Sequence, residues 1–280
     1  MPGSRRPEET VVLITGASSG IGKACAEHLA RDGYRVFGTS RYAPFPPDAA
    51  PPRHPVMLQM DVNQDESVRR AVDFIVRDAG RLDVVVNNAG IGIAGAVEDT
   101  SIEEAKAQLE TNFFGVLRVC RAALPVMRRQ GEGLIVNISS LGWVIALPFQ
   151  ALYSASKFAL EGLTEALRLE VRRFGIRVTS IQPGHTRTGF TDRRVRMAAW
   201  TQESAYGPYA ERTLQIMEHD VRNGGGPEKV AVLLEQIIRS PNPAPRYRVG
   251  PAFQRLAAAL KGILPARTFE WALAQYYRIP

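Results

Sequence analysis

The chain has 280 residues, 45% hydrophobic and 22% charged, with a formal net charge of +7. This is enough apolar material to bury a substantial core in one domain, yet no run approaches the ~20 apolar residues that cross a bilayer. The positive charge suits an anionic cofactor without requiring nucleic acid, for which no reading motif is present. Met1 to Thr10 is charged and proline-bearing, unlike a signal peptide. Cys25 and Cys120 fall on apolar faces of predicted helices and read as core residues rather than as a disulfide or a metal pair, so the cytoplasm is the expected location.

In chain order, Val11-Val12-Leu13-Ile14 is a β-branched apolar run, the mark of a buried strand. Thr15-Gly16-Ala17-Ser18-Ser19-Gly20-Ile21-Gly22 follows, and then the helical pattern Ala24, Cys25, Leu29, Ala30. A strand, a glycine-rich turn and a helix N-terminus together make a diphosphate site, where free amides and the helix dipole meet an anion. The spacing is Gly-x-x-x-Gly-x-Gly, not the more familiar Gly-x-Gly-x-x-Gly. Further strands are predicted near 35–39, 56–60, 83–87, 133–138, 177–182 and 246–250, after a first at 10–15. Helices are predicted near 20–32, 65–79, 101–129, 153–173 and 227–239. This alternation gives an α/β chain with parallel pairing and right-handed crossovers, a doubly wound sheet. Between the second and third strands, Pro44, Pro46, Pro47, Pro51, Pro52 and Pro55 rule out a regular helix and predict a stiff loop.

The chemistry concentrates around Tyr153-Ser154-Ala155-Ser156-Lys157. A spacing of four on a helix puts the phenol and the ammonium on one face. A cation ~4 Å from a phenol at an effective dielectric of ~20 contributes ~4 kcal/mol, enough to lower the ordinary pKa of about 10 by up to ~3 units before burial opposes it. That would suit a general acid/base working near neutrality. Ser140 lies thirteen residues before the tyrosine.

Together these motifs resemble the short-chain dehydrogenase/reductase family, over roughly Val11 to Thr188 and more weakly through the helix near Pro227. Asn87-Asn88-Ala89-Gly90 looks like the family's fourth-strand motif, Asp61-Val62 like its adenine-contacting acid, and Asn112 in Thr111-Asn112-Phe113 like its helix asparagine. Ser140 and Pro183-Gly184 with Thr188 match the substrate serine and the loop beside the nicotinamide. The resemblance implies a single domain over 1–280 with a strand order 3-2-1-4-5-6-7. It also implies a catalytic set of Asn112, Ser140, Tyr153 and Lys157. A dinucleotide would be held by Gly16, Ser18, Ser19, Gly20, Ile21, Gly22, Asp61, Val62, Asn88, Ala89, Gly90, Tyr153, Lys157, Pro183, Gly184, Thr186 and Thr188. In these roles Tyr153 moves the proton, Ser140 holds the substrate oxygen, Lys157 also binds the nicotinamide ribose, and Asn112 holds a water linking Lys157 to solvent. No metal is expected.

The second strand ends Gly38-Thr39-Ser40-Arg41, with no acid for ribose hydroxyls and with a guanidinium suited to a 2′-phosphate. Lys23 adds charge nearby, and NADP(H) is expected rather than NAD(H). A flap over about 185–226 carries Phe190, Met197, Trp200, Tyr206, Tyr209 and Met217 among Arg193, Arg194 and Arg196, which suggests a hydrophobic substrate. His185 at its start is more often structural than a contact. Beyond Gly250, Phe253, Leu256, Leu260, Ile263 and Leu264 follow helical spacing, and Phe269, Trp271, Leu273, Tyr276 and Tyr277 form a second cluster. Core packing or a pocket wall is expected there, with peripheral attachment to a membrane surface as the other reading. The glycine turn, Arg41 and the long tail look most like the steroid- and retinol-type branch. The leading expectation is an NADP(H)-dependent enzyme interconverting a hydrophobic ketone and secondary alcohol. A 3-oxoacyl-thioester reductase and a non-catalytic cofactor sensor are the alternatives. Apolar positions on more than one face of the predicted helices 101–129 and 153–173 point to a homodimer or homotetramer.

Overall fold

A computed structural model describes residues 6–189, 195–196 and 204–279. The strands are β1 (Val11–Ile14), β2 (Arg35–Ser40), β3 (Val56–Gln59), β4 (Val84–Asn87), β5 (Ile93–Ala94), β6 (Gly133–Ile138), β7 (Ile176–Pro183), β8 (Val195–Arg196) and β9 (Arg246–Val249). The α-helices are α1 (Gly20–Arg31), α2 (Asp65–Ala79), α3 (Ile102–Leu109), α4 (Gly115–Gln130), α5 (Ala151–Glu170), α6 (Gly207–Arg222), α7 (Glu228–Arg239), α8 (Ala252–Leu260) and α9 (Ala266–Tyr277). Seven strands form one sheet in the order β3-β2-β1-β4-β6-β7-β9, every pair parallel. Counted within that sheet in chain order, this is 3-2-1-4-5-6-7. β5 and β8 make a small separate parallel pair that the sequence reading did not include.

Strand alternation splits the core between the two faces of the sheet. Val11 and Leu13 turn toward α2, α4 and α5, packing with Val72, Ile75, Val119, Met127 and Leu160. Val12 and Ile14 turn the other way, onto Cys25 and Leu29 of α1 and Leu234 and Ile237 of α7. Cys25 and Cys120 are buried free thiols in these two layers.

Three elements depart from expectation. The predicted helix 101–129 is α3 and α4 joined by a π-helical turn over Glu110–Phe114. One extra residue per turn there re-aims the side chains that follow. The predicted helix 153–173 begins at Ala151 and ends at Glu170, before a short 3-10 turn at Arg172–Phe174. The flap contains α6, whose Ala210, Leu214 and Met217 are buried. In the proline-rich segment no helix forms. Phe45 stacks edge-on to Phe74 of α2 with ring centroids 5.8 Å apart, Arg70 lies 4.4 Å over the Phe45 ring, and Gln59 N donates to Pro44 O at 3.1 Å.

Candidate active site

The C-terminal ends of β1, β4, β6 and β7 open into a cavity of about 800 Å³. At the β1 end the chain turns at Gly16 and Gly20, with φ of +65° and +57°, a region that favours glycine. A Cβ on Gly22 would lie 2.4 Å from Gly16 O and 2.4 Å from Asn88 Nδ2, so the turn closes only with glycine there. Asn88 Nδ2 donates to Thr15 O at 2.9 Å and Gly16 O at 3.1 Å, while Thr15 Oγ1 accepts from Asn88 N and Ala89 N, both at 2.9 Å. The fourth-strand motif therefore builds the glycine turn as well as flanking it. Ser19 begins α1 without a side-chain bond to its first turn, whose amides have no intrahelical acceptors. Ser18, Ser19, Gly20 and Ile21 border the cavity, a cradle that fits a diphosphate. Arg41, Asp61, Val62, Ala89 and Gly90 border the same space. Asp61 Oδ1 accepts from Asn63 N at 3.0 Å, and the Arg41 guanidinium sits 5.5 Å over the Tyr42 ring.

At the centre, α5 presents Tyr153 and Lys157 one turn apart. Lys157 Nζ donates to Ile138 O at 2.9 Å and lies 5.7 Å from the centroid of the Tyr153 ring. Burial pushes the ammonium down to about 8, opposed by the carboxylate of Glu161 one turn on. Lys157 is thus still a cation at pH 7. Glu161 is itself buried and accepts from Gln182 Nε2 at 3.0 Å and Arg246 Nε at 2.9 Å. Ser140 leaves β6 with its Oγ accepting from Gly142 N at 3.0 Å. A Cβ on Gly142 would stand 3.2 Å from that Oγ and 3.4 Å from Tyr153 Cε1, which sets serine and phenol on either side of one glycine. Asn112 sits on the π-turn. Its Oδ1 accepts from Ile91 N at 2.9 Å, and its Nδ2 donates to Ile91 O at 3.0 Å and to Ser156 Oγ at 3.1 Å. Both amide hydrogens are engaged with protein atoms, and the bonds tie the loop after β4 to α5.

Two buried polar chains escaped the sequence reading. Asn87 and Asn137 are cross-strand neighbours, and Asn87 Nδ2 donates to Asn137 Oδ1 and Asn137 Nδ2 to Thr164 Oγ1, each at 2.8 Å, fastening β4, β6 and α5 beneath the site. The Glu161–Gln182–Arg246 set fastens α5 to β7 and β9. The available signal was a pair of asparagines at matching positions in two apolar strands.

Pro183, Gly184, Thr186 and Thr188 line the cavity where β7 ends. His185 is tied to the tail: its N donates to Gln254 Oε1 at 2.9 Å, and Gln254 Nε2 approaches His185 Nδ1 at 2.6 Å. The far wall combines Met217 and Val221 of α6 with Phe253, Ala257, Phe269, Leu273 and Tyr276 of α8 and α9. Of the flap residues, Tyr206 and Tyr209 are exposed, and Tyr206 donates to Glu98 at 2.6 Å. Phe190, Arg193, Arg194, Met197 and Trp200, and the side chain of Arg196, lie outside the described residues.

A family model described as short chain dehydrogenase matches residues 10–199. The chain is 45% identical over 273 residues to a 3-ketodihydrosphingosine reductase of Bacteroides thetaiotaomicron, covering 96% of this chain and 98% of the relative. It is 35% identical to human 17-beta-hydroxysteroid dehydrogenase type 1 over 257 residues, 85% of this chain and 76% of the relative. A crystal structure of a short-chain dehydrogenase from Streptomyces avermitilis superposes with a TM-score of 0.78 at 32% identity, over 95% of this chain and 98% of the other. A short-chain dehydrogenase/reductase from Burkholderia phymatum in complex with NAD superposes at 0.77 and 26% identity, over 92% and 96%. With the glycine cradle and the Ser140, Tyr153 and Lys157 side chains around one cavity, these likenesses identify the chain as an oxidoreductase of the short-chain dehydrogenase/reductase family.

Proposed function

We propose that this enzyme reduces the ketone of a long-chain amino lipid, of the sphingoid type, to the secondary alcohol at the expense of NADPH. The observation that carries the reading is that one cavity joins the Ser140–Tyr153–Lys157 centre to an apolar wall from α6, α8 and α9. The near full-length likeness to a 3-ketodihydrosphingosine reductase supports it.

The dinucleotide, when bound, supplies a hydride to the carbonyl carbon. Tyr153 donates its phenolic proton to the carbonyl oxygen as negative charge develops there, and Ser140 Oγ donates a hydrogen bond to the same oxygen. Ketone, hydride and proton sum to the alcohol, and solvent returns the proton to Tyr153. Lys157 keeps a positive charge beside the phenol and offers its ammonium to the nicotinamide ribose. Asn112, through Ile91 and Ser156, positions the loop and the helix that flank it. Gly16 to Gly22 and Asn88 to Gly90 hold the diphosphate and adenosine side, with Asp61 and Val62 at the adenine. Pro183, Gly184, Thr186 and Thr188 flank the nicotinamide. Arg41, at the end of a β2 that carries no acid, reads the 2′-phosphate.

We also infer an assembly of at least two chains through the π-turn, α4 and α5, where Phe114, Phe158 and Leu169 remain exposed. Lys261 of the tail lies 5.9 Å over the Phe158 ring and covers one edge of that face. Light scattering at micromolar concentration should report a dimer or larger, and a monomer would reject it.

The test is turnover of a long-chain 2-amino-3-ketone, a 17-keto steroid and a 3-oxoacyl thioester, each with NADPH and NADH. The amino ketone with NADPH should give the highest kcat/KM. Faster turnover of the steroid or the thioester would replace the substrate class, and no turnover of any would favour a sensor.

A further inference from the structure

α8 and α9, joined by a short turn, have two unlike sides. Their inner side, Phe253, Ala257, Phe269, Ala272, Leu273 and Tyr276, faces the cavity. Their outer side carries Leu256 at 59% exposure, Ile263 at 76% and Trp271 at 66%. Ile263 and Leu264 stand in the turn between the helices, and Arg267 and Trp271, four apart, share a face of α9. Phe253, 54% exposed, belongs to both sides and marks the mouth. From residue 252 to residue 279 the cations are Arg255, Lys261, Arg267 and Arg278, and the one anion is Glu270.

We propose that the outer side of α8, α9 and their connecting turn docks on the surface of an anionic phospholipid bilayer, with Ile263, Leu264 and Trp271 entering the headgroup boundary and Arg255 and Arg267 on the phosphates. An apolar turn flanked by aromatic and basic residues is the chemistry of an interfacial anchor. That single surface apolar residues are ordinary does not account for their gathering with a net charge of one sign on the two helices that wall the cavity. A second copy of the chain fits this side less well, since a two-fold contact would set like charges face to face. Docking here would turn Phe253 and the cavity behind it toward the membrane, so an apolar chain could pass into the site without crossing water.

The experiment is co-sedimentation of the full chain with vesicles of phosphatidylglycerol and phosphatidylcholine, against phosphatidylcholine alone, without any turnover assay. Wild type should bind the mixed vesicles about tenfold more tightly than the neutral ones, the apolar entry and the lipid charge acting together. Ile263→Asp with Trp271→Ser, and separately Arg255→Glu with Arg267→Glu, should each lose about tenfold on the mixed vesicles. An unchanged thermal midpoint certifies the fold, and if one pair fails that check the other decides. Equal binding to both vesicle types, or binding untouched by a folded variant, overturns the proposal. A variant that lowers the oligomeric mass while wild type ignores vesicles assigns this side to a second copy instead.

Discussion

At the β1 end of the cavity, Thr15, Gly16 and Asn88 are joined by hydrogen bonds between side chain and main chain, and a Cβ on Gly22 would stand 2.4 Å from Gly16 O and Asn88 Nδ2. At the α9 end the same cavity is closed by Phe269, Leu273 and Tyr276, side chains on a helix held by a few contacts such as Tyr276 to Asp220 at 2.6 Å. The first end is fixed by backbone conformation and admits almost no substitution without moving a strand. The second can change a side chain and keep its place. On the proposed function, the first end would serve the chemistry and cofactor, and the wall would choose the substrate. Variants at each end should differ in kind as well as in size.

Tyr153→Phe should have the largest effect. The ring stays and the transferable proton goes, so kcat should fall by ~10²–10⁴ on every substrate alike, with cofactor affinity kept. Steady-state kinetics on two substrates of different length, with a cofactor titration, check this. A loss confined to one substrate would move Tyr153 from the chemical end to the wall.

Lys157→Met probes the charge held at that centre. Folding pushes this ammonium from its ordinary 10.5 to about 8. Between those values the unfolded chain keeps a proton that the folded chain has released, so stability rises with pH across that window, by roughly 3 kcal/mol in all. Below pH 8 the full cost of the buried charge is present. Denaturant unfolding at pH 7 and pH 10 should show wild type gaining on Lys157→Met by most of that amount. The lost bond to Ile138 O shifts both points equally and leaves the pH slope intact. Parallel curves would show that Lys157 is not the buried cation described.

Arg41→Ala should cost NADPH roughly 1.5–3 kcal/mol, the range for a hydrogen bond to a charged group, or about ten- to a hundredfold in affinity. NADH, lacking the phosphate, should bind as before. Titration of both cofactors against wild type decides it, and an equal loss or none for either removes Arg41 from the phosphate.

The same division explains what could be read in advance. Strand, glycine turn and helix at Val11–Arg31, and Tyr153 with Lys157, are local patterns in which spacing alone fixes geometry. Parallel pairing followed from strand–helix alternation, and the sheet order from the family resemblance. The π-turn at Glu110–Phe114 was invisible, because its extra residue is selected by packing: Gly115 lies where a Cβ would stand 2.9 Å from Val62 Cγ2. Nothing local singles out Glu161 on α5, because Gln182 and Arg246, which bind it, come from strands 21 and 85 residues away. Whether α8 and α9 wall the cavity depends on their packing against α6 and the turn at Leu141–Trp143, which no short-range signal encodes.

The smallest effect, and the one that most sharpens the contrast between the ends, belongs to Leu273→Ala. Leu273 lies on the inner side of α9, in contact with the cluster of Leu214, Met217 and Tyr277. Shortening it removes apolar contact with about two methylenes of a long chain, at ~0.8 kcal/mol for each buried methylene. Loss of ~1.5 kcal/mol corresponds to about a tenfold fall in kcat/KM for a long-chain ketone. A ketone too short to reach α9 should be turned over at the wild-type rate. The two substrates measured side by side give a ratio that is insensitive to any shared loss of active enzyme. If that ratio stays at its wild-type value, the chain runs elsewhere and α9 is not the wall; if both rates collapse together, α9 supports the chemical end, and the two ends are one unit.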